Sequence, residues 1–439
     1  MRRAWGIAAA WAAVLLLTAG VLAAESAQYV GSKTCAVCHS QQYKDWQSSL
    51  HSKMVQDPKV PGAIVGDFST NEKFKPEDVL YTVGVKTQYY VTRQGNDIVY
   101  LPLGYNTETR QWVPRSGSWL NACAPCHTTG YNKETKTWAE LGIACEACHG
   151  PGSLHAATGD KTKIISSPSN DICASCHGGE RQVGQMAQSG KHLNIFKEQI
   201  EKSDHYSDGC LKCHSATYIL APENAKPTLA DFKTGALKED RYGITCVVCH
   251  DPHKRVEEAQ LRKSPQETCT QCHTAEEGPV PRHTQKQMVE GIWGKDVPVM
   301  PSPKVAQCVD CHMGNGNHMD FKVGTPTFKM VDHGKEIEVN SCAKCHTNVT
   351  ADQIKALQKA TSDRANALKA RLDKAKANID KSQDTAVKDL YTKAVYNLNI
   401  VINDKSWGIH NMPYTKALLD KVEEQIAAAN KKLPKNQQI

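Results

Sequence analysis

The stretch Cys145-Glu146-Ala147-Cys148-His149 is one copy of the unit that decides the fold. Nine Cys-x-x-Cys-His units occur in the 439-residue chain, numbered here motifs 1 to 9 in chain order, and together they use all 18 cysteines. The paired cysteines are Cys35 and Cys38, Cys123 and Cys126, Cys145 and Cys148, Cys173 and Cys176, Cys210 and Cys213, Cys246 and Cys249, Cys269 and Cys272, Cys308 and Cys311, and Cys342 and Cys345.

The spacing within each unit has a chemical reason. Two thiols three positions apart reach the two vinyl groups of one haem, and the histidine that follows then lies beneath the iron. A disulfide framework would not need a histidine after every second cysteine, and zinc sites do not fix one there. The sequence therefore predicts nine covalently bound c-type haems, with these histidines as iron ligands: His39, His127, His149, His177, His214, His250, His273, His312 and His346.

Nine further histidines remain, one for each iron. Methionine is the usual alternative sixth ligand, and Met54, Met313 and Met319 are candidates, although a packing role is favoured for each. Two imidazoles leave no coordination position for a substrate, so this ligation suits electron transfer. The predicted second ligands are His51, His155, His192, His205, His253, His283, His318, His333 and His410.

Composition and charge agree with a haem protein. Aromatic residues make up 6% of the chain, and only 6 are Phe, so haem discs are expected to replace part of the apolar core. Without Arg2 and Arg3 the chain has 51 basic and 46 acidic residues, a net charge of +5. That mild charge, with no long basic run, gives no indication of nucleic acid binding.

Residues 1–24 have the pattern of a secretory leader. Arg2 and Arg3 precede an uncharged, Ala- and Leu-rich run that ends in small residues. Cleavage would leave no membrane span, whereas an uncleaved leader is long enough to act as an anchor. Export to the periplasm, the cell surface or the extracellular space is predicted either way.

The motif spacing divides the chain. We predict a mainly α fold with much irregular loop, organised by nine stacked haems, with little regular structure between residues 120 and 346. Short strands at 79–83, 88–93, 98–101 and 111–113 predict a small antiparallel insert. The predicted divisions are a leader at 1–24, a first haem segment at 25–78, the β insert at 79–115, a multihaem core at 116–349 and a C-terminal helical bundle at 350–439.

Three amphipathic helices are predicted in the last ninety residues. The first opens with a capping box at Thr350–Gln353, the second spans about 384–402, and the third begins at Pro413. Apolar side chains at three- and four-residue steps, including Leu357, are predicted to face inward. His410 lies in the turn before the third helix.

Two parts of the chain resemble known families. Residues 81–155 resemble the cytochrome c-554 type, through the strand insert, Cys123-Ala-Pro-Cys-His-Thr-Thr-Gly-Tyr and Cys145-Glu-Ala-Cys-His-Gly-Pro-Gly-Ser-Leu-His. The C-terminal third is similar to the superfamily of hydroxylamine oxidoreductase and pentahaem nitrite reductase, through Cys308-Val-Asp-Cys-His-Met, Asn340-Ser-Cys-Ala-Lys-Cys-His and Gly408-Ile-His-Asn-Met-Pro-Tyr. The resemblance implies parallel and perpendicular haem pairs, with His51, His155 and His410 as distal ligands.

The chain also departs from that superfamily. It has no Cys-x-x-Cys-Lys motif, on which such nitrite reductases carry their active haem, and residues 324–328 lack the histidine that relatives often place there. Either His318 or His333 substitutes for it, or one haem is open.

Three functions follow from these patterns. The first is an electron relay that works with other cytochromes or a quinol-oxidising complex. The second is an oxidoreductase of small nitrogen or sulfur oxyanions at one open haem. The third is a homo-oligomeric subunit of an extracellular cytochrome filament.

Overall fold

The fold was analysed in a computed structural model of the chain. Side chains are not described for the short strands between residues 316 and 337, so only the backbone of His318 is considered. The predicted leader, His205, His333, Met319 and Cys345 lie outside the described residues. The structure describes residues 26–167, 169–178, 182–189, 192–196, 200, 206–236, 243–275, 278–303, 307–313, 316–318, 321–323, 328, 331–332, 336–337, 342 and 346–439.

Short helices occur at most of the motifs. This differs from the expectation of little regular structure between residues 120 and 346, because each Cys-x-x-Cys-His unit that is described in full itself forms a helical turn. The helices before the C-terminal bundle are α1 Ser32–Cys35, α2 Ser40–Ser48, α3 Trp119–Ala122, α4 Ala124–His127, α5 Cys145–His149, α6 Ser153–Thr158, α7 Asn170–His177, α8 Gln182–Gln188, α9 Asp208–His214, α10 Ala216–Leu220, α11 Leu229–Lys233, α12 Cys246–Cys249, α13 Pro265–Thr270, α14 Gln285–Glu290 and α15 Cys308–His312.

A six-stranded antiparallel sheet lies between motifs 1 and 2, which confirms the small β insert. Its order is β1-β2-β3-β5-β6, and β4 also pairs with β3. Two of the six strands, β1 and β5, were not predicted, because β1 is only two residues long and the sequence of β5 lacks a clear alternating pattern. The strands are β1 Val55–Gln56, β2 Tyr81–Val83, β3 Thr87–Gln94, β4 Asp97–Tyr100, β5 Leu103–Asn106 and β6 Gln111–Pro114.

Aromatic side chains fill the space around this sheet. Phe68 packs edge-on against Phe74, Tyr90 and Trp112 with ring centres 5.3–5.5 Å apart. Such edge-to-face pairs stabilise a small core beyond their buried area. In the described part of the chain three two-stranded ladders add to this sheet: β7 Thr128–Thr129 with β8 Glu140–Leu141, β9 Gly316–His318 with β10 Phe321–Val323, and β11 Val331–Asp332 with β12 Glu336–Ile337.

Three long helices form the C-terminal bundle: α16 Ala351–Lys381, α17 Thr385–Asp404 and α18 Met412–Asn430. The capping box predicted at Thr350 is present, since its hydroxyl accepts a hydrogen bond from the backbone N–H of Gln353. Asp384 caps α17 in the same manner.

The bundle buries the apolar stripes that the sequence predicted, with one exception. Leu368, Leu398 and Leu418 are at most 3% exposed. Leu357 was predicted to face inward, but it is 41% exposed because the inward positions of this helix at that level are taken by Ile354 and Thr361.

The bundle is tied to the haem-motif segment through the loop before α18. Asn411 donates hydrogen bonds to the carbonyls of Met288 and Met300, and Tyr414 donates one to the carbonyl of Ile292. These buried contacts fix the position of His410. No helix in the described ranges is long and apolar enough to cross a membrane.

Candidate haem sites

Each motif that the structure describes in full places its three functional side chains on one short helical turn. The backbone N–H of His39 donates to the carbonyl of Cys35 at 2.9 Å, and His250 does the same to Cys246 at 2.9 Å. A hydrogen bond between positions i and i+4 brings both thiols and the imidazole to the same side of the turn. None of the described cysteines is joined in a disulfide, and no group of three or more His, Cys, Asp or Glu side chains that could hold a metal ion occurs among the described residues.

Six motif histidines each face one of the spare histidines. Most partners are distant in sequence, so the fold rather than the local turn brings them together. The ring centres are separated by 6.3 Å in His39–His155, 6.5 Å in His177–His51, 6.0 Å in His149–His253, 6.1 Å in His214–His283, 5.9 Å in His273–His192 and 6.1 Å in His312–His410.

These separations fit an iron between the two rings. Each iron–nitrogen bond is about 2 Å and each ring centre lies about 1 Å behind its nitrogen, which gives about 6 Å in total. Two imidazoles joined by a direct hydrogen bond would be about 5 Å apart, because the N···N distance would be about 3 Å. The residues present therefore fit bis-histidine haem, with two neighbouring thiols to attach its edge.

Burial lowers the pKa of several of the paired imidazoles. Burial, followed by the charges of neighbouring histidines, lowers the pKa of His214 and of His273 to about 4. Burial likewise lowers the pKa of His51, His192 and His283. An imidazole must be neutral to donate its lone pair to a metal, so burial favours the form that binds.

Hydrogen bonds at Nδ1 orient several rings so that Nε2 is the nitrogen left for a metal. Most of the acceptors are neutral. They are the carbonyl oxygens of Ile165 for His149, Asp160 for His155, Ala259 for His250 and Phe328 for His312, and the side-chain oxygen of Gln182 for His177.

His410 differs, because its Nδ1 lies 2.6 Å from a carboxylate oxygen of Asp404. Burial alone would lower the pKa of His410, but the hydrogen bond and negative charge of Asp404 outweigh that effect and raise it. The sequence did not predict Asp404, since nothing marks a carboxylate six residues before a ligand as its partner.

Three family profiles match different parts of the chain, two of which overlap. The family described as cytochrome c554 and c-prime matches residues 34–73 and 106–150. Cytochrome c7 and related cytochrome c matches residues 194–274. The family of outer membrane cytochrome MtrC/MtrF-like, domains II/IV, matches residues 256–359.

Two curated proteins are similar over about half of the chain. Multiheme cytochrome MtrA of Shewanella baltica is 24% identical over 237 residues, which are 47% of this chain and 67% of MtrA. Cytochrome c-554 of Nitrosomonas europaea is 22% identical over 212 residues, 46% of this chain and 64% of the relative.

Two solved structures are similar over almost the whole chain. The outer cell wall cytochrome OcwA has a TM-score of 0.76 and 27% identity, covering 90% of this chain and 99% of OcwA. The undecahaem cytochrome from the S-layer of Carboxydothermus ferrireducens has a TM-score of 0.71 and 31% identity, covering 92% of this chain and 70% of that one. The chain belongs to the multihaem c-type cytochromes. Its function is electron transfer from haem to haem.

The similarity to the cytochrome c-554 type is confirmed, whereas the similarity to the hydroxylamine oxidoreductase superfamily stays a prediction. In this cytochrome the motif histidines not yet accounted for are His127, His250 and His346. The remaining spare histidines are His205, His318 and His333, which lie outside the described side chains.

Thiols of different motifs also meet in the cytochrome. The motifs joined by these contacts are mostly not consecutive in the chain. The thiol pairs within hydrogen-bonding reach are Cys35 with Cys145, Cys173 with Cys246, Cys213 with Cys272, and Cys269 with Cys308.

Proposed function

We propose that this cytochrome is an exported electron relay of nine haems, each iron held by two histidines. The observation that carries the proposal is the set of six imidazole pairs, with ring centres 5.9–6.5 Å apart. Each pair joins a motif histidine to a spare one. His205, His318 and His333 would serve the three remaining motifs.

The protein's part in electron transfer is to attach, orient and space the cofactors. Haem supplies one-electron chemistry between ferric and ferrous iron when it is bound. The thiols would attach the haem edge, the paired imidazoles would ligate its iron, and the carbonyls at Nδ1 hold the rings in place. This arrangement leaves no axial position for a substrate, which favours a relay over an oxyanion reductase.

The thiol contacts support a route that differs from chain order. They join motif 1 to motif 3, motif 4 to motif 6, motif 5 to motif 7, and motif 7 to motif 8. The charges of Cys173 and Cys176 also act on Cys148, which links motif 3 to motif 4. The charge of Cys249 likewise acts on Cys269 and Cys272, which links motif 6 to motif 7. Motif 7 is a branching point, because it is linked to motifs 5, 6 and 8.

The relatives support a location outside the cytoplasm. The titles of two similar structures name the outer cell wall and an S-layer. With the leader at residues 1–24, they favour a periplasmic or cell-surface site. The partners we propose are other cytochromes or a quinol-oxidising complex, and a homo-oligomer or filament is an alternative assembly.

Mass spectrometry and electron paramagnetic resonance of the purified oxidised protein test this proposal together. We expect the mass of the polypeptide plus nine haems, and signals of low-spin ferric haem alone. A smaller haem number would contradict the count. A high-spin component that shifts on adding nitrite or hydroxylamine would instead support the enzyme.

A further inference from the structure

The carboxylate of Asp404 is buried against a predicted iron ligand. Its side chain is 1% exposed, and one oxygen lies 2.6 Å from His410 Nδ1. The other oxygen accepts hydrogen bonds from the backbone N–H and the hydroxyl of Ser406. His410 in turn faces His312, the motif 8 histidine, with ring centres 6.1 Å apart.

The loop between α17 and α18 is shaped to hold this contact. Lys405, Trp407 and Gly408 all have positive φ angles, of 61°, 52° and 104°. At a φ of 104°, Gly408 has a backbone conformation that residues with a Cβ atom rarely adopt, so the loop favours glycine there. The turn thereby brings His410 back onto the last residue of α17.

Asp404 differs from the Nδ1 partners of the other paired imidazoles in the described part of the chain. The carbonyl of Ile165 and the amide of Gln182 are neutral acceptors for His149 and His177. The nearest comparable carboxylate is Asp251, whose oxygen is 3.8 Å from His253 Nδ1. That distance is beyond a hydrogen bond, and Asp251 is paired with Arg262 at 2.9 Å.

A carboxylate that accepts a hydrogen bond from the Nδ1–H group makes an imidazole a stronger electron donor to its metal. A stronger donor stabilises ferric iron more than ferrous iron, and second-shell hydrogen bonding is one of the means by which a protein sets a haem potential. Burial increases the effect, because little water screens the charge.

We propose that Asp404 is a positioning residue that lowers the reduction potential of the motif 8 haem through His410. The inference rests on the proposed bis-histidine ligation. Since motif 8 meets motif 7 through Cys269 and Cys308, a low potential there would drive electrons toward the branching point.

The test is a spectroelectrochemical titration of the holoprotein carrying Asp404→Asn. Asparagine keeps the shape and an acceptor oxygen but removes the charge. We expect one haem transition to move to higher potential, the others to keep their places, and all haems to remain low-spin. The control is Asp251→Asn, which removes the more distant, Arg-paired carboxylate and is expected to move no transition by a comparable amount.

Three results would overturn the inference: no upward shift in Asp404→Asn, an equal shift in Asp251→Asn, or a high-spin haem in Asp404→Asn without an upward shift. The last would mean that Asp404 only holds His410 in place. A wild-type protein with nine low-spin haems separates these outcomes from a failure of the proposed function.

Discussion

The C-terminal bundle and the motif-bearing segment achieve order by different means. The bundle has helices of 31, 20 and 19 residues that bury Leu, Ile, Val and Tyr against one another. Between residues 119 and 312 no described helix exceeds 8 residues. There, imidazole pairs and hydrogen bonds join turns that have few apolar side chains to bury.

The difference teaches which part of the fold depends on the cofactor. Helices of four or five residues are unstable alone, since a helix needs about 12 residues or more to be even marginally stable in water. The bundle satisfies that length and has its own core. The haem segment requires covalently attached discs to fill the space between its turns.

Removing the haem of motif 7, the branching point, should have the largest effect on electron transfer within the protein. In the double variant Cys269→Ser, Cys272→Ser, we expect the mass to fall by one haem. Pulse radiolysis injects an electron and records its redistribution among the haems. In the variant, transfer between the haems of motifs 5 and 8 should be lost, because both motifs contact motif 7.

The matched control is Cys35→Ser, Cys38→Ser, in a motif whose thiol meets only Cys145 among the described contacts between motifs. It should also lose one haem but leave redistribution among motifs 5, 7 and 8 intact. Equal disruption by the two variants would refute the proposed branching.

Within the bundle, a cavity should destabilise the fold without changing the haems. Leu418 is fully buried among the three helices, so Leu418→Ala is expected to cost about 3 kcal/mol of unfolding free energy. Chemical denaturation followed by circular dichroism at 222 nm measures this loss.

Leu357→Ala is the control for that cavity, because it removes the same atoms from a side chain that is 41% exposed. Its cost should be below about 1 kcal/mol. The visible spectrum should be unchanged in both variants, and a spectral change in Leu418→Ala would show that the bundle core supports a haem site directly.

The sequence predicted these two regions unequally. The helices of the bundle follow from caps at Thr350 and Asp384 and from a regular apolar stripe, which are local features. The motifs identify the cofactor and one ligand, also locally. The second ligand is a non-local property: His192 faces His273, and no spacing rule joins them. The same holds for Asp404, whose role depends on a turn with three left-handed residues.

The smallest effect is expected from removing one of the polar contacts that take the place of apolar packing in the haem segment. Glu146, inside motif 3, is 2% exposed and accepts hydrogen bonds from the backbone N–H groups of Val30, Gly31 and Gly152 at 2.7–3.1 Å. Hydrogen bonds to a charged acceptor stabilise by more than neutral ones, so Glu146→Gln should cost about 2 kcal/mol and release residues 26–31. Limited proteolysis of the holoprotein would detect that release as faster cleavage near the N-terminus.

Glu134→Gln is the matched control. Glu134 lies in an exposed turn and its side chain makes no such contacts, so the substitution should leave the cleavage rate unchanged. If Glu146→Gln is cleaved no faster than the control, the N-terminal segment is held by the attached haem itself, and the contrast with the self-supporting bundle becomes stronger.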